Sequence, residues 1–206
     1  MKLEANLFYN YHTIGDILML VVDSSKESTS FKMDDNVCFI YNEDKLIGIN
    51  FYNISQICKI KSRGKIFLTP NPLIDILNSL LKNKCDYEIK YQQDSGFIIG
   101  KIIDYSTINE QCFLTKVDIG NEIINIITRA SNIEINKLCV VAKIGSMLPS
   151  GKIINKSKIY DTVSNGYLCT YQDIAINLYE NENRLFYLED EEALPGQDFF
   201  LSKGKM

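Results

Sequence analysis

Histidine occurs once in the 206 residues, at His12 in NYHTIGD, and the six cysteines never come closer than 20 positions. These two facts remove most site chemistry. Catalytic zinc sites draw on clustered His ligands, and structural ones use closely spaced Cys pairs; neither pattern is present. A Ser–His–Asp triad would have to use His12, which has no Ser or Cys in a nucleophile-elbow setting nearby. Cys85, Cys112 and Cys139 are spaced by 27, but the flanks CDYEIK, CFLTKV and CVVAKI share only strand character. The cysteines are expected to be reduced core residues. No catalytic residue, metal or cofactor is expected.

Two phosphate-loop look-alikes fail on spacing. GFIIGK at 96–101 has three residues between its glycines and GSMLPSGK at 145–152 has five. The motif needs four, followed by Lys and then Ser or Thr for magnesium, and Ile follows both lysines. NIS at 53 and NKS at 155 match the glycosylation sequon, but no secretion signal opens the chain. The acidic run LEDEEALPGQD lacks a partner acid or calcium-loop spacing and reads as a solvated turn.

The remaining chemistry is cationic. The whole chain carries 22 basic and 26 acidic side chains, yet residues 129–160 hold Arg129, Lys137, Lys143, Lys152, Lys156 and Lys158 against Glu134 alone. Such a patch is either a solvated face or a surface for polyanions. A second basic run, Lys59, Lys61, Arg63 and Lys65, alternates at period 2 and would share one face of a strand.

The elements that must position these groups fall into two sets. In the first half, Ile17–Val22 suits a buried strand, and NVCFIYNEDKLIGINFY reads as a hairpin turning at 42–45. The segment 69–84 is a helix: Pro72 fits its first turn, and Leu73, Ile76, Leu77, Leu80 and Leu81 lie on one face. Beyond the polar QQDSG, short β-rich runs at 97–105, 112–119, 122–128 and 138–144, then GYLCT and RLFYLED, alternate with turn residues. That texture predicts a small barrel or sandwich. The expected class is α+β, a small α/β domain over 1–93 followed by an all-β barrel over 94–206. No apolar run is long enough to span a membrane, and a cytoplasmic protein is expected.

The stretch RASNIEINKLCVVAKIGSMLPSGKIINKSKIYDTVSNGYLCT, together with GFIIGKIID and TKVDIG, resembles the EMAP-like tRNA-binding domain. That domain is an oligonucleotide-binding (OB) fold, also found in the beta subunit of bacterial phenylalanyl-tRNA synthetase. With its opening FYNYHTIGDILML the whole chain resembles the free-standing YtpR-type proteins. The resemblance implies a non-catalytic protein that holds tRNA or other structured RNA by its backbone and stacked bases. Matched positions put Asn132 in the small-residue corner, Lys152, Lys156 and Lys158 along the basic loop and strand, and Ser164 and Gly166 in the turn before Tyr167; Asn132, these lysines, Lys143, Ser164 and Tyr167 are the expected RNA-binding residues. The chain departs from the family at Gln111, where a Lys is usual, at Tyr160 and Asp161 in place of Arg and Gly, and at Tyr167 in place of Met. The two tyrosines either stack on bases or pack as ordinary aromatics, and Asn132 either contacts RNA or caps a turn. The alternative implied by these departures and the sequence pI near 5.1 is a protein-interaction or dimerisation module that has lost RNA binding. A homodimer, and a synthetase or other translation partner, are the protein associations the resemblance admits.

Overall fold

The computed structural model describes residues 2–3, 5–60, 64–66, 72–90, 94–174, 183–189 and 193–203, and the chain divides into two compact units, Met1–Gln93 and Asp94–Met206. The first contains strands β1 (Lys2–Leu3), β2 (Asn6–Tyr9), β3 (Ile17–Val21), β4 (Ser30–Asp34), β5 (Val37–Asn42), β6 (Lys45–Tyr52), β7 (Gly64–Ile66) and β8 (Glu88–Ile89), with helices α1 (Tyr11–Ile14) and α2 (Pro72–Leu81). Six strands form an antiparallel sheet in the order β4-β5-β6-β3-β2-β7, and β1 pairs in parallel with β8.

Alternation sets which face of that sheet is dry. Leu7, Leu20, Ile49 and Phe39 pair across four strands and are all buried. They share one cluster with Ile74, Leu77 and Leu81 of α2. Each such side chain contributes roughly 1.5–3 kcal/mol by leaving water. The helix is where expected, but its buried stripe is rotated: Ile74 is buried, whereas Ile76 is only partly so. Leu73 and Leu80 flank the stripe, so the apolar arc is wider than one face and the sheet picks its centre. Lys84, just past the helix, reaches across to Asp34 and Asp35 at 2.5 and 2.7 Å.

The basic run at 59–65 does not form one exposed strand face. Lys61 and Arg63 lie outside the described residues, Lys59 precedes β7 in irregular chain, and Lys65 is only 8% exposed. Burial lowers the Lys65 ammonium to a pKa of about 8 from its usual 10.5. The unfolded chain therefore binds more protons than the folded one between those values, and stability falls as pH drops from about 10.5 to about 8, staying low beneath. The full penalty is on the order of 3 kcal/mol. Lys65→Met should flatten that slope in urea titrations run across this range. Parallel pH profiles for the two proteins would contradict the assignment.

The second unit comprises β9 (Phe97–Asn109), β10 (Cys112–Asp118), β11 (Ile123–Thr128), β12 (Leu138–Ala142), β13 (Ser157–Ile159), β14 (Thr162–Ser164), β15 (Tyr167–Leu168), β16 (Tyr187–Leu188) and helix α3 (Phe199–Lys203). Strands follow the order β11-β10-β9-β12-β15, with β16 added beside β12. The two ends of this sheet meet. Asn165 N–H donates to Asn125 O at 2.8 Å, and Ile127 N–H donates to Ser164 Oγ at 3.0 Å, so β11 reaches the turn before β15. A five-stranded sheet joined end to end in this order is an OB-type barrel. Its interior holds Ile102, Val117, Ile126, Cys139, Val141 and Leu168.

Two features are absent from the sequence expectation. The hairpin β13–β14 forms a two-stranded sheet of its own, held to β11 through Ser164. Of the acidic run near the C-terminus, Asp190, Glu191 and Glu192 lie outside the described residues, and its last acid, Asp198, is not simply solvated. Asp198 accepts bonds from Ser95 N–H and Oγ at 2.7 and 2.8 Å and from the first amides of α3, and Phe97, Phe199 and Phe200 meet edge to face at 4.9–5.2 Å. All six cysteines are free thiols, four of them buried, and burial alone pushes Cys139 up to about 12. Among the described residues no three His, Cys, Asp or Glu side chains could hold a metal, and no helix is long and apolar enough to cross a membrane.

Candidate nucleic-acid interface

At the end of β11 the chain emerges from the barrel as Thr128, Arg129 and Ala130. These residues, with Lys152, Ser157 and Ile159 of the hairpin side and Tyr167, Leu168 and Thr170 of the β15 side, line a groove of about 350 Å³. The groove thus has one wall from the barrel and one from the β13–β14 hairpin.

Its floor is organised around Tyr167. The phenol donates to Asp173 Oδ2 at 3.1 Å, and the same oxygen accepts Thr170 N–H and Oγ–H at 2.8 and 2.7 Å. Burial first, and the Asp173 charge second, hold the phenol well above its usual pKa, so it stays neutral. The Lys152 ammonium lies 5.3 Å from the Tyr167 ring centroid. Such cation–π contact is worth about 0.5–1 kcal/mol at an exposed site and holds the charge over the groove. The Tyr that replaces the family's Met is therefore neither fully core nor free: its edge is fixed and its ring carries a cation. With Arg129 alongside, the groove presents two cations and an aromatic surface, which suits a phosphate and its attached base.

The other sequence-selected residues have distinct places. Ser164 is 2% exposed; it accepts Ile127 N–H and donates to Gly166 O at 3.0 Å, which closes the barrel. Asn132 spends its amide on one residue, accepting Leu185 N–H at 2.8 Å and donating to Leu185 O at 3.2 Å. The Tyr187 hydroxyl adds a bond to Asn132 O. This clamp ties the β11–β12 connection to β16 and so fixes where Arg129, three residues earlier, leaves the barrel. Both side chains build the groove from behind.

The lysines do not share a face. Lys152 is at the groove, while Ser157 and Ile159 line it and so turn Lys158, between them, to the far side of the hairpin. There Lys158 pairs with Asp161 at 3.4 Å. Lys143 belongs to a different groove, with Gly120, Glu122 and Gly196, and it is ion-paired with Asp94. Lys156 is exposed at the approach to β13. Arg129 is the groove residue that the sequence motif did not single out. Its signal was its place at the end of the EIINIIT strand, immediately before the small-residue corner.

The chain is similar to several known proteins. A family model described as a domain of unknown function (DUF4479) matches residues 24–91. The Bacillus subtilis protein named "Putative tRNA-binding protein YtpR" is 24% identical over 191 residues, covering 90% of this chain and 95% of its own length. Along nearly its whole length the chain resembles this YtpR protein. A Mycoplasma genitalium protein, "Uncharacterized protein MG449", aligns over 180 residues at 24% identity, 82% of this chain and 77% of its own. The phenylalanine–tRNA ligase beta subunit of Clostridium acetobutylicum is 38% identical over 107 residues, half of this chain but only 13% of the ligase subunit. Most of that subunit therefore has no counterpart here.

Proposed function

We propose that this protein binds tRNA or similarly structured RNA in the cytoplasm, through the groove bordered by β11, β15 and the β13–β14 hairpin, and that it catalyses no reaction and uses no cofactor. Residues 94–206 act as the tRNA-binding barrel and residues 1–93 as the YtpR-type N-terminal domain. The observation that carries the reading is the Lys152 ammonium held over Tyr167 beside Arg129. The names of the Bacillus protein and of the ligase subunit support it. Arg129 and Lys152 contact phosphate, Lys156 extends the track, and the Tyr167 ring supports the cation and offers its face. Asn132 and Ser164 act by positioning. Phosphate contacts of this kind bind with strong salt dependence and weak sequence preference.

A second reading is a surface for a protein partner, a second copy or a synthetase among them. It is favoured by the two ion pairs, Lys143 with Asp94 and Lys158 with Asp161, which neutralise part of the basic block. Titration with bulk tRNA separates the two. Lys152→Glu combined with Lys156→Glu should weaken binding by tenfold or more on the order of magnitude expected for two reversed phosphate contacts, and flatten its salt dependence. Unchanged binding by the folded double variant would overturn this site.

A further inference from the structure

The β13–β14 hairpin ends in Tyr160 and Asp161, which link the paired residues Ile159 and Thr162. Tyr160 is 75% exposed and has φ of +50°. A bulky side chain in this left-handed region is unusual, and the family pattern places its glycine one residue later. Its ring and hydroxyl make no hydrogen bond or ring contact among the described residues. The tip therefore carries backbone strain and an exposed aromatic together, with no packing gain to offset either. Strain of this kind persists where it serves a site.

Ser157 and Ile159 of the same hairpin wall the cationic groove, and Tyr160 follows Ile159 directly, at the end of that wall. Asp161, the one acid at the tip, is fully exposed and would repel a phosphate. Lys158 sits 3.4 Å from it and neutralises it. Lys156 stands at the hairpin's base. An aromatic lifted on a narrow ribbon, flanked by amines and relieved of its local negative charge, suits a nucleobase.

We propose that Tyr160 stacks on an unpaired base of RNA held in the groove, so that the hairpin is a wedge selecting RNA with unstacked bases over uniform duplex. This rests on the RNA-binding reading above. Tyr160→Gly is the discriminating variant, because glycine relaxes the left-handed turn and thermal stability should hold or rise. Its affinity for bulk tRNA should nonetheless fall by about 5- to 150-fold, the effect of losing one base–aromatic stack, with the salt slope unchanged. Its affinity for a blunt, fully paired RNA duplex should not change, and Tyr160→Phe should bind tRNA like the parent. The chain has no tryptophan, so Tyr160→Trp supplies a single indole at the tip, excited at longer wavelength than the tyrosines, whose emission should be quenched by tRNA with the midpoint of the binding curve. A Tyr160→Gly protein that binds tRNA as tightly as the parent overturns the wedge while the groove stands. Equal losses on tRNA and duplex also overturn it. A parent protein that binds no tRNA at about 50 mM salt, where phosphate contacts are strongest, overturns the wedge and the groove together.

Discussion

Gly100→Val should destabilise the second unit by about 3 kcal/mol or more, the upper range for overpacking a filled core. Gly100 lies in β9 opposite Cys139 of β12, where the barrel is narrow. A Cβ added there would come 2.6 Å from Val117 Cγ1 and 2.8 Å from Val141 Cγ2. Both neighbours are branched, buried and held by their own strands, so neither can swing aside as a long flexible side chain would. Gly100→Ala already places that Cβ and should cost about 1–3 kcal/mol, and valine adds two methyl groups to the same space. Urea unfolding reads both: the midpoint should fall in the order parent, Ala, Val. An alanine variant as stable as the parent would mean that β9, β10 and β12 do not approach as described.

Asn132→Ala should be the most damaging of the substitutions around the groove, and it should act through stability. The side chain satisfies both backbone groups of Leu185, a residue only 1% exposed. Removing it strands a buried N–H and a buried C=O, at about 1–3 kcal/mol each. The β11–β12 connection would then lose its tie to β16, and Arg129 its fixed exit from the barrel. The expected result is a thermal midpoint several degrees lower, together with weaker tRNA binding that recovers partly on cooling. A direct RNA contact predicts the reverse pattern, with affinity lost at every temperature and stability unchanged. Thermal melts and tRNA titrations of the same protein distinguish the two.

The reach of the sequence varied with how much each element buries. The four main barrel strands were legible because their apolar runs line the core, as Ile98–Ile102 and Leu138–Ala142 do. The hairpin β13–β14 was not. Its strands are three residues each with only Ser164 buried, and its turn uses Tyr160 where a glycine would have announced it. Missing that hairpin also misplaced the lysines: Lys152, Lys156 and Lys158 look like one cationic track in the sequence, but the pleat turns Lys158 away from the groove. In α2, five apolar residues fit one helical face, yet the sheet centres the buried stripe on Ile74, Leu77 and Leu81, a face rotated from that one. Asn132 and Ser164 were found by their motif, but their hydrogen-bond partners, Leu185 and Ile127, lie 53 and 37 residues away. No local pattern could show that these two side chains hold the groove together. Arg129 shows the opposite case, a residue of ordinary local context that topology brings to Lys152 and Tyr167.

The central claim is that three cations, Arg129, Lys152 and Lys156, meet phosphates of a structured RNA. It is tested most directly by the salt dependence of bulk tRNA binding between about 50 and 200 mM. Three phosphate contacts give a slope of log affinity against log salt near −3, about a 40-fold loss over that range. Lys152→Glu with Lys156→Glu should bring that loss below about fivefold. Steep dependence in the parent and a shallow one in the double variant is the result predicted here. Binding that is absent at low salt, or equally salt-dependent in both proteins, would contradict it.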